Sequence, residues 1–149
     1  MVIRKAKLDD LARIAEIEVF NYRLNFYPIF QDDAFYFVEM QVLNVMQTDK
    51  RHMDQLWVYD DNGLVKGFLW VDDKQIKKLF IEPVLQNRGI GTKLLEYAVS
   101  ELDATYLWAL EKNIRAIAFY KRHGFMVTDE KMFEEGTTEY LVKLIKTEG

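Results

Sequence analysis

The chain contains no cysteine, which removes disulfides, thiolate metal ligands and any cysteine nucleophile at once. The usual clue to redox compartment goes with it. Histidine is almost as scarce. His52 and His123 are the only two, far apart in the sequence, so neither a zinc site nor a Ser-His-Asp triad has support and no metal is expected. His123 reads most simply as a favourable dipole contact at a helix C-terminus, and His52 as a surface residue. Only two prolines occur, Pro28 and Pro83, and no segment has the composition of a disordered linker. No apolar run approaches the roughly 18 residues that a membrane span needs, and the start of the chain is too weakly apolar for a signal peptide. A cytoplasmic protein without a membrane partner is the default expectation. Lys and Arg are nowhere clustered and the net charge is -4, which argues against nucleic acid as a partner.

What is present is a globular composition: 149 residues, 50% of them apolar and 30% charged. That length suits one domain spanning residues 1–149, as a monomer or homodimer, with one functional site. Val2 to Ala6 reads as a short strand, and Leu8, Asp9 and Asp10 open a helix whose apolar stripe (Leu11, Ile14, Ala15, Ile17) fades near Phe20. Eight aromatics crowd around Pro28 between Phe20 and Phe37, and helical spacing returns through Val38, Val42, Val45 and Met46. Two helices joined by an aromatic loop are expected. Leu56 to Tyr59 and Leu64 to Val71 flank the hairpin signal Asn62-Gly63, and Ile76 to Glu82 forms a third strand that Pro83 stops. A helix follows Gly91 through Leu94, Leu95, Ala98, Val99 and Leu102; Tyr106 to Leu110 is a short buried strand. Asn113 caps a helix running to His123 that Gly124 ends, and strands Phe125 to Met132 and Thr138 to Ile145 close the chain. The order β-α-α-β-β-β-α-β-α-β-β predicts an α/β fold, a mixed and mostly antiparallel central sheet with helices on both faces.

The segment from Leu79 to Thr92 carries the chemistry, because it runs from a strand through a glycine-containing loop into a helix. Such a loop gathers unpaired backbone N–H groups at the positive end of a helix dipole, which suits a diphosphate. Gly89 and Gly91 would let the ligand approach without a Cβ in the way. A P-loop is excluded by spacing, since Gly91 is followed by Thr92-Lys93 without a four-residue gap between glycines. The dinucleotide fingerprint wants a third glycine where Leu94 stands, within a βαβ unit, and neither pattern is met.

Gln86, Asn87, Arg88, Gly89, Ile90 and Gly91 match the pattern Arg/Gln-x-x-Gly-x-Gly/Ala; Ile81-Glu82-Pro83 precedes it, and Asn113, Phe119-Tyr120 and Gly124-Phe125 follow. On these residues the chain resembles the GCN5-related N-acetyltransferase (GNAT) superfamily, most closely its small stand-alone bacterial type. The likeness is specific from about Lys77 to Phe125. It implies an N-acetyltransferase that moves the acetyl group of acetyl-CoA to a primary amine by direct attack in a ternary complex. Backbone groups around Phe80 and Ile81 would pair with the pantetheine arm, the amides from Gln86 to Thr92 (Gln86, Asn87, Arg88, Gly89, Ile90, Gly91, Thr92) would hold the diphosphate, and Asn113 would sit near the thioester. The acceptor amine would belong to a protein lysine or N-terminus, or to a small molecule.

Asn113 and Tyr120 lie seven apart and return to one helix face after two turns. A phenol at Tyr120 could protonate the leaving thiolate, and a backbone N–H near Ile81 could stabilise the oxyanion. Glu82, beside the loop, is the candidate base, with Glu111, Asp32, Asp33 and Glu39 as others. Tyr27 and Phe30, flanking Pro28, are candidates to line the acceptor pocket. Each of these also has a plain structural reading, as cap, solvated charge or core ring. A CoA-binding sensor without catalysis, or an interaction domain, is the rival function.

Overall fold

The computed structural model describes residues 1–148; Gly149, the last residue of the expected domain, lies outside the described residues. Seven strands form one sheet in the order β1-β2-β3-β4-β5-β7-β6. They are β1 (Val2–Lys5), β2 (Leu56–Asp61), β3 (Leu64–Asp72), β4 (Gln75–Ile81), β5 (Tyr106–Leu110), β6 (Phe125–Phe133) and β7 (Tyr140–Lys146). All neighbours are antiparallel except β4 and β5. The β2–β3 hairpin turns on Asn62 and Gly63, at φ 54° and 89°, the positive angles that a two-residue turn needs and that Asn-Gly supplies with least strain.

Period-two alternation sends side chains to two cores. Leu56, Val58 and Phe68 meet Ile14 and Ile17 of helix α1 (Leu11–Asn25) on one face. Tyr59, Leu69 and Ile81 meet Leu94, Leu95 and Ala98 of α4 (Ile90–Ser100) and Tyr120 of α5 (Ile114–Arg122) on the other. The expected α/β sheet with helices on both faces is therefore present. A third cluster joins Ala15 and Val19 of α1 to Val45 of α3 (Val42–Lys50), with Tyr36 and Met40 between them.

The aromatic stretch departs from a simple loop. Helix α1 continues past Phe20 to Asn25, and Tyr27–Phe30 makes a single turn, α2, with Pro28 in its first positions, where proline lacks nothing the helix requires. A wide helical turn follows over Phe35–Glu39. Val38 is exposed, so the second helical stripe begins only at Val42. The connection from β4 through α4 to the parallel β5 is also a βαβ unit. That part of the reason for setting the dinucleotide fold aside fails; the missing third glycine at Leu94 still stands.

Candidate active site

Strands β4 and β5 pair only at Gln75↔Tyr106 and Ile76↔Leu107, and from Lys77 onward the edge of β4 faces an opening. The ladder on its other edge decides which main-chain groups look into that opening. Glu82 N–H donates to the Lys66 carbonyl at 2.9 Å, and Phe80 stands opposite Phe68 in the same register. Backbone groups alternate along an antiparallel strand, so those of Phe80 and Glu82 face β3, whereas those of Leu79 and Ile81 face the opening. The expectation for Phe80 is corrected accordingly: its main chain is committed to β3, and its ring, packed against Tyr22, Phe26 and Phe68, is what reaches the site. The main-chain groups of Ile81 do face the opening.

Beyond Pro83–Leu85 the chain passes Asn87 and Gly89, at φ 66° and 84°, and enters α4 at Ile90. The Lys93 N–H donates to the Gly89 carbonyl at 3.2 Å as the first bond of the helix. Among the described residues, the N–H groups from Asn87 to Thr92 find no acceptor. A run of main-chain donors at a helix start, bent by left-handed residues, is an anion cradle. The two glycines serve it differently. Gly89 needs its positive φ, and a Cβ there would meet nothing within 4 Å; a Cβ on Gly91 would touch the Phe119 ring at 3.4 Å. A Cβ on Gly91 would thus point at α5 in ordinary contact.

Two clefts open on either side of the parted strands. One, of about 440 Å³, is lined by Ile81, Gln86, Asn87, Gly89 to Thr92, Arg115 and His123. The other, of about 520 Å³, is lined by Phe30, Asp32, Tyr36, Lys78, Trp108 and Glu134 among others. They meet at Leu79, Phe80, Asn113, Ala116 and Tyr120, which line both. The Asn113 side chain caps α5 by accepting from Ala116 N–H at 3.3 Å. Two turns later Tyr120 is 8% exposed; burial pushes its phenol well above the ordinary tyrosine value. Among the described residues its hydroxyl has no hydrogen-bond partner.

Other candidates are not brought here. Glu82 accepts from Arg13 at 2.9 Å and lines neither cleft. The Arg88 side chain lines neither, although its N–H belongs to the cradle, and Tyr27 packs on Tyr36 and Phe37 while donating to Asp33. Glu111 pairs with Lys131, and Glu39 is exposed. Phe30 and Asp32 do reach the second cleft. His123 is more than a dipole contact. Its Nδ1 donates to the Phe119 carbonyl at 2.7 Å, which turns Nε2 toward Thr92 Oγ1 at 3.0 Å. Asn21 was not anticipated, although a polar residue in register with Ile14 and Ile17 interrupts an apolar stripe.

A family model for the acetyltransferase (GNAT) domain matches residues 52–127, a span that holds β4, the cradle, Asn113 and Tyr120. The chain belongs to the GNAT family. Among its GNAT relatives is the peptidyl-lysine N-acetyltransferase YjaB of Salmonella typhimurium, 35% identical over 74 residues, which are 49% of this chain and 51% of that protein. The chain spans about half the length of the curated relatives it matches. The solution structure of apo YjaB from Escherichia coli superposes with a TM-score of 0.77 at 23% identity, covering all of both chains. The N-acetyltransferase PaiA of Thermoplasma acidophilum, solved with coenzyme A, gives 0.71 at 17% identity over 95% of this chain and 96% of that one. These two likenesses show the GNAT fold. Among the described residues, no helix is long and apolar enough to cross a membrane.

Proposed function

We propose that the chain is an acetyl-CoA-dependent N-acetyltransferase in which donor and acceptor enter from opposite clefts and react where they meet. The meeting of the clefts at Leu79, Phe80, Asn113, Ala116 and Tyr120 carries this reading. The residues fit the donor on their own chemistry: the unpaired N–H groups from Asn87 to Thr92 match a diphosphate, and the free edge of β4 at Leu79 and Ile81 matches an amide-bearing pantetheine arm. Acetyl-CoA supplies an activated thioester carbonyl. Ile81 N–H, facing the opening, stabilises negative charge on the carbonyl oxygen. Tyr120, held protonated by burial, gives its proton to the departing sulfur.

The acceptor is a primary amine, of a lysine side chain, a protein N-terminus or a small molecule, and attacks directly because no cysteine exists to hold the acetyl group. Of the carboxylates weighed from the sequence, Asp32 lines the acceptor cleft, joined there by Glu134; Asp32 rather than Glu82 takes the amine proton. Calorimetry with CoA, followed by thiol release from acetyl-CoA in the presence of spermidine, a lysine peptide or a free α-amine, tests the reading. Submillimolar CoA binding and amine-dependent thiol release are expected. No CoA binding would reject it.

A further inference from the structure

Asn21 is 2% exposed, on the face of α1 that meets the end of β4. Its side-chain nitrogen donates to the Ile17 carbonyl at 2.8 Å and to the Ile81 carbonyl at 2.8 Å. Both partners are carbonyls and can only accept, so the amide orientation is fixed. Its oxygen in turn faces the amide nitrogens of Gln86 at 3.3 Å and Asn25 at 3.4 Å. A buried amide with all its donors and its acceptor engaged is rigid, since breaking one bond leaves a desolvated polar group unpaired. Its bonds reach two functional places: Ile81, whose N–H faces the opening beside the donor cleft, and Gln86, which leads into the diphosphate cradle while its own N–H is spent on the Pro83 carbonyl.

We infer that Asn21 is a positioning residue that ties the Ile81 carbonyl to α1, so that the Ile81 N–H, on the preceding peptide, stays aimed at the donor carbonyl, and links Ile81 to the cradle through Gln86. This inference rests on the proposed function of the donor cleft. The Ile81 carbonyl lies beyond the last β4–β5 pair, so no neighbouring strand holds it. Without a donor from α1 that carbonyl would turn to water, the peptide it shares with the Glu82 N–H would be held by Lys66 of β3 alone, and Ile81 could rotate out of line. Displacements of this size matter, because oxyanion stabilisation depends on donors aimed before the charge develops.

Infrared difference spectroscopy of acetyl-CoA carrying a 13C label at the acetyl carbonyl reads the inference without an acceptor. In the wild-type protein the labelled carbonyl stretch is expected to move to lower frequency on binding, as a hydrogen bond to the carbonyl oxygen requires. In Asn21→Asp, which keeps the shape and loses both donors, the stretch is expected to return toward the free value while CoA affinity changes less than about threefold. Turnover with whichever amine is active would fall roughly tenfold or more. Gln86→Ala is expected to do the reverse, weakening CoA and leaving the carbonyl shift in place. An unchanged shift in Asn21→Asp overturns the inference, and so does a CoA-bound wild-type protein with no shift, which needs no variant to fold. Wild-type protein that binds no CoA rejects the function itself, a separate outcome.

Discussion

Tyr120 has its ring among Phe119 and Phe125 and its hydroxyl where the two clefts join. Among the described residues that hydroxyl has no protein partner and it opens onto both clefts, an arrangement that serves a ligand better than the core. Tyr120→Phe keeps the ring packing and removes only the acid. Turnover is expected to fall by roughly 10²-fold or more, with CoA affinity changed less than about threefold; steady-state kinetics beside calorimetry separates the two. The same scale holds a second titrating group. Asp49 is buried, its Oδ2 and Glu18 Oε1 both lack a partner, and Glu18 Oε2 takes a bond from Lys78. A proton on Asp49, donated to Glu18, satisfies both orphan oxygens. Burial first, and the Glu18 charge second, push Asp49 up to about 8 from an ordinary value of 3.8. The folded chain thus keeps a proton that the unfolded chain loses, so the stability this group contributes is full below about pH 4 and lost as pH rises to about 8. Asp49→Asn retains a donor to Glu18 and should gain on the wild type by on the order of 1–3 kcal/mol between pH 5 and pH 8. Thermal unfolding at both values measures it, and a constant gap would remove the shared proton.

Among the elements, the start of α4 makes the clearest separate statement. Gly89→Val places a β-branched residue at φ 84°, a conformation that costs about 1–2 kcal/mol, and bends the cradle out of shape; CoA affinity should drop by roughly tenfold or more. Gly91→Ala meets Phe119 only at ordinary contact distance, so its melting temperature and CoA affinity should stay near wild type. Equal losses in both would show that bulk, not backbone angle, matters there. This element was readable in advance because its signals are local: a strand stopped by Pro83, glycines at fixed spacing, and an apolar stripe resuming at Leu94. The Asn113 cap and the Asn62-Gly63 turn were readable for the same reason. The parting of β4 from β5 was not, since a strand's own periodicity says nothing about where its partner stops. Nor was the β3–β4 register, which decides that Leu79, rather than Phe80, offers its main chain alongside Ile81. The Arg13–Glu82 pair spans 69 residues, and such long-range partners leave no trace in a local pattern. Asn21 left one, a polar break in the α1 stripe, whose partners on β4 only the fold supplies.

At the scale of the whole molecule, the sheet divides two halves with different chemistry. The α4–α5 side presents the cradle, and the α1–α3 side presents aromatic rings and carboxylates. Transfer in a ternary complex requires that the two halves communicate through the gap between β4 and β5, where the Ala116 methyl is the smallest side chain common to both clefts. Ala116→Phe would fill that gap from α5 without disturbing the Asn113 cap, which uses only the Ala116 backbone. CoA should still bind within about tenfold, because the cradle from Asn87 to Thr92 lies further along the cleft, while acetyl transfer should drop by roughly 10²-fold or more. Initial rates over both substrates should give intersecting lines for the wild type, as a ternary complex demands. Parallel lines, or a variant that still transfers acetyl groups at the wild-type rate, would mean that donor and acceptor do not meet at this junction.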